Sequence, residues 1–187
     1  DSTQEHTFDG LQKYAAATLN HTETTLIYSQ QWYVDANEAG YAITVSAEET
    51  DNYLAAEIEI LLIINKATVD MSGVLFEDRT FVYNGQSRSL EISGELPTLV
   101  GGLSVNYINN SLIIVGEVVV IAEFEYNEYN YNPIPNMSAT LKIEPHPISI
   151  IIHDKSSTYG QPQAELTCAV YDLIEGDELY LLLTKSG

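Results

Sequence analysis

The 187-residue chain carries 27 acidic against seven basic side chains, a net charge of −20. That disfavours nucleic acid and anionic lipid, whose binding needs Lys or Arg to displace counterions. Hydrophobic residues make up 45%, against 11 Gly and 6 Pro, so the chain can build packed cores and is not a disordered linker. The one cysteine, Cys168, rules out an intramolecular disulfide.

The 13 Tyr, with many Ile, Val, Leu and Thr, favour strands over helices. In chain order, residues 1–10 are polar and acidic, unlike a secretory leader. Strands are predicted over 41–45 and 57–64, the second leading into Lys66-Ala67-Thr68-Val69 with no Gly, Pro or Ser linker. Residues 67–71 and 74–76 form the next strand-like runs. Tyr83-Asn84-Gly85 is a hairpin-type turn, because Asn and Gly both tolerate positive φ. Residues 89–93 alternate with Leu90 and Ile92 on one face, and 103–107 alternate again. A short strand is expected over 112–115, ended by Gly116. The run 118–124 is mostly apolar and suits a strand covered on both faces near its start. A polar Tyr/Asn-rich loop follows over 125–137, then a strand at 140–143. Pro145 and Pro147 stiffen the next joint. Residues 166–170 alternate so as to place Cys168 on one strand face, as a buried and inert thiol. No run approaches about 18 uninterrupted apolar residues, so no membrane insertion is expected.

The pattern repeats. Phe8-Asp9-Gly10 falls on Tyr83-Asn84-Gly85 at an offset of 75, Gly40 on Gly116 at 76, Asn52-Tyr53 on Asn130-Tyr131 at 78, and Ile64 on Ile143 at 79. Tyr159 and Leu179 fall on Tyr83 and Leu103, both at 76. Ordered matches with slow drift indicate tandem units separated by loop insertions. The reading is an all-β chain of tandem Ig-like β-sandwich domains in an elongated rod. Residues 1–65 are a copy lacking its opening strand, 66–145 a complete copy with about seven strands, and 146–187 a truncated third copy. A missing opening strand leaves a sheet edge open to pairing, although a monomer is expected.

The layout KATVDMSGVLFEDRTFVYNGQSRSLEISGELP, then VNYINN, VVVIAEF, NYN and ATLKI, resembles the mostly-bacterial Ig-like (MBG) domain. Residues 157–160 and 173–179 resemble the variant of that family marked by a Tyr-Gly pair. The resemblance covers nearly the whole chain. It implies tandem modules in large secreted or wall-attached bacterial proteins, often adhesin-like, serving as stalk or spacer beside neighbouring Ig-like domains. One departure is Phe8, where the family has Tyr before Asx-Gly.

The recurring Asn-Tyr pairs read as a tyrosine-corner device, an apolar ring with a hydroxyl that bonds backbone. Catalysis finds little support, and no enzyme is expected. His6, His21, His146 and His153 are scattered, no Gly-x-Ser-x-Gly elbow occurs, and Glu123 with Glu125 fits a solvated strand face. No cofactor is expected beyond a weak Ca²⁺ site in the loops holding Glu48, Glu49 and Asp51, or Glu175, Asp177 and Glu178. A Lys–Asn isopeptide bond would need Lys66 or Lys142 buried beside an Asn and a carboxylate. The candidate ligand loop holds Tyr126, Tyr129, Asn130 and Tyr131, whose rings and amides suit a host or environmental glycan or protein.

Overall fold

The computed structural model describes residues 2–19 and 24–183. The fold is all-β, with no helix among the described residues. Two compact units are distinguished: residues up to Leu75 with Ser93–Asn106 and Ala122–Met137, and Phe76–Ile92 with Tyr107–Ile121 and the residues from Ser138 onward.

In the first unit, β1 (Thr3–Thr7), β3 (Leu26–Tyr28), β5 (Asn37–Ala47) and β6 (Ala56–Asn65) form one sheet in the order β1-β6-β5-β3. The long β5–β6 pair is antiparallel, with Ile43 opposite Ile60 and Val45 opposite Ile58. Alternation sends Ile43, Val45, Ile60 and Leu62 inward, each no more than 2% exposed, against Ala15. Each such side chain contributes roughly 1.5–3 kcal/mol by leaving water. Gly40 does not precede this strand, as the sequence suggested, but lies inside it at a register shift between Asn37 and Tyr41. Its φ is 85°, and a Cβ there would meet Leu61 Cδ1 at 2.6 Å, so only Gly fits the bulge. A two-stranded ribbon, β2 (Lys13–Tyr14) with β4 (Trp32–Tyr33), completes the strands of this stretch.

A second four-stranded sheet has the order β7-β10-β9-β8, from β7 (Arg79–Val82), β8 (Leu103–Ile108), β9 (Gly116–Tyr126) and β10 (Met137–Glu144). β9 alternates instead of being covered on both faces: Val120, Ala122 and Phe124 are buried while Val119 is 54% exposed. Residues 113–115 form no strand and are exposed, with Leu112 making a single bridge to Arg88, and Gly116 opens β9. The runs at 67–71, 74–76 and 89–93 are likewise reduced to the bridges Ala67↔Tyr131 and Leu75↔Ser93. Gly94, beside the last bridge at φ 91°, packs so that a Cβ would sit 2.1 Å from the Gly73 carbonyl oxygen.

Local pairings recur. β1 runs parallel to β6 with His6 opposite Ile64, and β7 runs parallel to β10 with Phe81 opposite Ile143. Each first strand ends the same way: Phe8 N–H donates to Asn65 O, and Tyr83 N–H to Glu144 O, both at 2.9 Å. An Asx turn follows each, with Leu11 N–H on Asp9 Oδ1 and Gln86 N–H on Asn84 Oδ1. The inward residues correspond, Ile60, Leu62 and Ile64 with Ala139, Leu141 and Ile143. The bridge Leu75↔Ser93 has its counterpart 76 residues on, at Ile151↔Ala169 in the antiparallel pair β11 (Ser149–Ile152) and β12 (Cys168–Tyr171). Cys168 lies in β12 as expected but is only half-buried.

Tyrosine hydroxyls satisfy backbone groups where the strand ladders are short. Tyr28, Tyr107, Tyr126 and Tyr131 accept from the N–H groups of Ala17, Ile92, Ile134 and Val100, at 2.9–3.0 Å. The abundance of Tyr thus serves hydrogen bonding as well as strand propensity.

Candidate functional site: the tyrosine and asparagine loop

The loop between β9 and β10 starts with a tight turn. Asn127 O accepts from the N–H groups of Asn130 and Tyr131, while Asn127 Oδ1 accepts from Tyr129 N–H. The turn aims Asn130 and Tyr131 inward. Asn130 is 2% exposed, its Oδ1 accepting from Ala36 N–H at 2.7 Å and its Nδ2 donating to Asp35 Oδ1 at 2.9 Å. Tyr131 is 7% exposed, meets Phe8 edge-on at 5.3 Å between ring centroids, and packs in a cluster with Ala36 and Ile64. Its hydroxyl takes the Val100 N–H, the backbone bond expected of a tyrosine corner.

The loop also pins the chain just after β6. Ala67 N–H donates to Asn130 O, Asn132 N–H donates to Ala67 O, and Lys66 Nζ donates to Glu128 O at 2.8 Å. Lys66 is therefore held by a backbone carbonyl. Lys142 is 45% exposed and paired with Glu144, which holds its ammonium above the usual lysine range. Neither has the buried Asn-and-carboxylate setting that an isopeptide bond requires.

Of the four residues expected to form a ligand loop, Tyr129 is the open one, at 60% exposure. Tyr126 is half-buried, with its hydroxyl engaged by Ile134 N–H. Tyr126 and Asn127 do line an open cleft of about 510 Å³ with Gly101, Gly102, Ser104 and Glu125. Three residues that local sequence reasoning missed, Tyr33, Asp35 and Tyr41, also meet this region. Tyr33 and Tyr41 stack at 3.7 Å with ring planes 7° apart, and Tyr41 OH donates to Asp35 O. Burial, then the neighbouring Tyr129 and Asp35, pushes the Tyr41 hydroxyl above the usual tyrosine range. These residues lie roughly 90 positions from the loop, and no local spacing could have paired them.

A second cavity, about 370 Å³, is lined largely by apolar side chains that include Leu26, Val45, Ala47, Ile58 and Ile60. Gln4, at its edge, makes a two-bond clasp on the Ala16 backbone. Among the described residues no three His, Cys, Asp or Glu side chains gather as a metal-binding group. In the acidic loop of Glu175, Asp177 and Glu178, Asp177 accepts from Tyr83 OH and Glu178 from Tyr180 OH. His153 pairs with Thr167, and His21 lies outside the described residues. No helix of the described residues is long and apolar enough to cross a membrane.

No protein-family model matches this chain, and no curated protein matches it.

Proposed function

We propose that this chain is a non-enzymatic spacer region of a secreted or cell-surface bacterial protein, adhesin-like in character, built from tandem Ig-like units that present another part of that protein. What supports this reading is the clamped passage from β6 into Lys66 and Ala67, where three hydrogen bonds hold a stretch that the sequence reads as a joint without a flexible linker. A joint so held suits spacing rather than tethering. The recurring parallel pair with its Asx turn, and the matching Leu75↔Ser93 and Ile151↔Ala169 bridges, support a repeated unit. The resemblance to the MBG family supports the bacterial surface setting.

Small-angle scattering tests this reading. A compact chain of 187 residues has a radius of gyration of about 16 Å. A row of rigid units gives a clearly larger value with little interdomain flexibility, whereas a value at the compact limit would sink the spacer reading. The alternative, a ligand-binding module working through the Tyr/Asn loop, would rest on Tyr129 and the cleft beside Tyr126. A glycan array comparing the intact chain with a Tyr126→Ala/Tyr129→Ala variant tests it, and binding lost in the variant is its expected result.

A further inference from the structure

Tyr14 and Trp32 stand directly opposite each other in the β2–β4 ribbon. Alternation therefore puts both rings on one face, with Lys13 and Tyr33 on the other. The inner pair is partly buried, and Tyr33 stacks on Tyr41. The outer pair is open, Tyr14 at 50% and Trp32, the chain's single tryptophan, at 39% exposure. One exposed apolar side chain is ordinary. Two large rings at directly opposed cross-strand positions give that face an open aromatic strip.

Each of the two residues is bonded to a nearby carboxamide. Tyr14 OH donates to Gln12 Oε1 at 2.6 Å, which orients that amide and leaves its NH₂ as donor. Gln30 Nε2 donates to Trp32 O at 2.9 Å, which leaves Gln30 Oε1 as acceptor. An apolar strip with one oriented donor and one oriented acceptor matches a pyranose ring, whose C–H face lies on an aromatic plane while its hydroxyls both give and accept hydrogen bonds. The strip is too small for a stable protein interface: two aromatic side chains bury roughly 150–250 Å² each, against about 800 Å² per partner in a standard complex. The net charge of −20 works against uronic, sialylated or sulfated sugars.

We propose that the Tyr14–Trp32 strip is a binding site for neutral hexopyranose chains. The site shares no residue with the loop at 125–137 and does not depend on the spacer reading, which scattering tests independently. Because Trp32 is the only indole, its fluorescence reports this site alone. The experiment titrates the intact chain with neutral β-1,4-glucan, α-1,4-glucan, β-1,4-mannan and β-1,4-galactan hexasaccharides, and with polygalacturonate as the anionic control. At least one neutral sugar should give a saturable shift of Trp32 emission, with little response to polygalacturonate. By calorimetry, Trp32→Ala and Tyr14→Ala should each weaken binding about tenfold or more, and Trp32→Phe should retain part of it. Circular dichroism of each variant checks that the fold is intact. Three results would overturn the proposal: no emission change with any neutral sugar up to about 10 mM, sugar binding that survives in the Trp32→Ala/Tyr14→Ala double variant, or self-association that Trp32→Ala abolishes while sugars have no effect.

Discussion

The dipeptide Asn-Tyr occurs at 52–53 and at 130–131, and the two occurrences lead different lives. Asn130 and Tyr131 are buried, bonded to Ala36, Asp35 and Val100, and packed on Phe8. Asn52 and Tyr53 lie in an exposed turn, their N–H groups directed to Thr50 Oγ1, and Tyr53 is 49% exposed. The dipeptide does not set its own role. Asn130 becomes a structural group because the fold brings Ala36, 94 residues away, against its carboxamide. A recurring dipeptide thus does not fix a common environment.

The sharpest way to break this contrast is to truncate both tyrosines. Tyr131→Ala should cost about 4 kcal/mol of unfolding free energy, because it removes a buried ring and leaves a cavity, while Tyr53→Ala should stay below about 1 kcal/mol. Equal losses in chemical denaturation would show that the exposed pair carries structure too. Next comes Asn130→Ala, expected at about 2–3 kcal/mol since it strands the N–H of Ala36, which is 3% exposed. The matching Asn52→Ala change, at an exposed side chain, should cost less than Asn130→Ala. Tyr131→Phe separates ring from hydroxyl: it keeps the contact with Phe8 and frees only the Val100 N–H, for about 1 kcal/mol.

The smallest effect concerns the other repeated turn, where Asp9 and Asn84 fill the same Asx position. The Lys13 ammonium, with the Leu11 N–H, holds the Asp9 carboxyl below its ordinary value of 3.8. Its folded-state pKa is depressed, so its stabilisation is present above pH 3.8 and lost as pH falls through the folded value. Asn84 does not titrate. Asp9→Asn should therefore flatten the acid limb of a melting-temperature profile slightly, and Asn84→Asp should steepen it. Asp70, lowered by the Ser72 N–H, adds a similar background acid limb in all variants.

Much of the fold was legible in the residues. The all-β class followed from composition, and β5, β6, β8, β9 and β10 cover the strand runs predicted at 41–45, 57–64, 103–107, 118–124 and 140–143. The elements at 67–71, 89–93 and 112–115 shrank to isolated bridges because a strand needs a partner along its length, and alternation reports only which face a residue would show. Leu90 illustrates the distinction: it is buried as its pattern required, while its N–H is satisfied by the Asn110 side chain instead of a neighbouring strand. The candidate site was less legible. Tyr126, Tyr129, Asn130 and Tyr131 look alike in sequence, yet only long-range packing separates the open Tyr129 from the buried Asn130. Trp32 gave no local signal either, since its importance depends on Tyr14 standing across the ribbon.

The parallel pairing of β1 with β6 has a mechanical consequence. The first strand of this stretch lies alongside the last, over five consecutive register positions from Thr3↔Leu61 to Thr7↔Asn65. Tension applied at the start of β1 and the end of β6 pulls the two strands in opposite directions along their length. Their hydrogen bonds are then strained together in shear and cannot open one after another like a zipper. β7 and β10 repeat the arrangement over four positions. In single-molecule stretching, each pair should act as a clamp that yields abruptly, the five-position pair resisting longer than the four-position one.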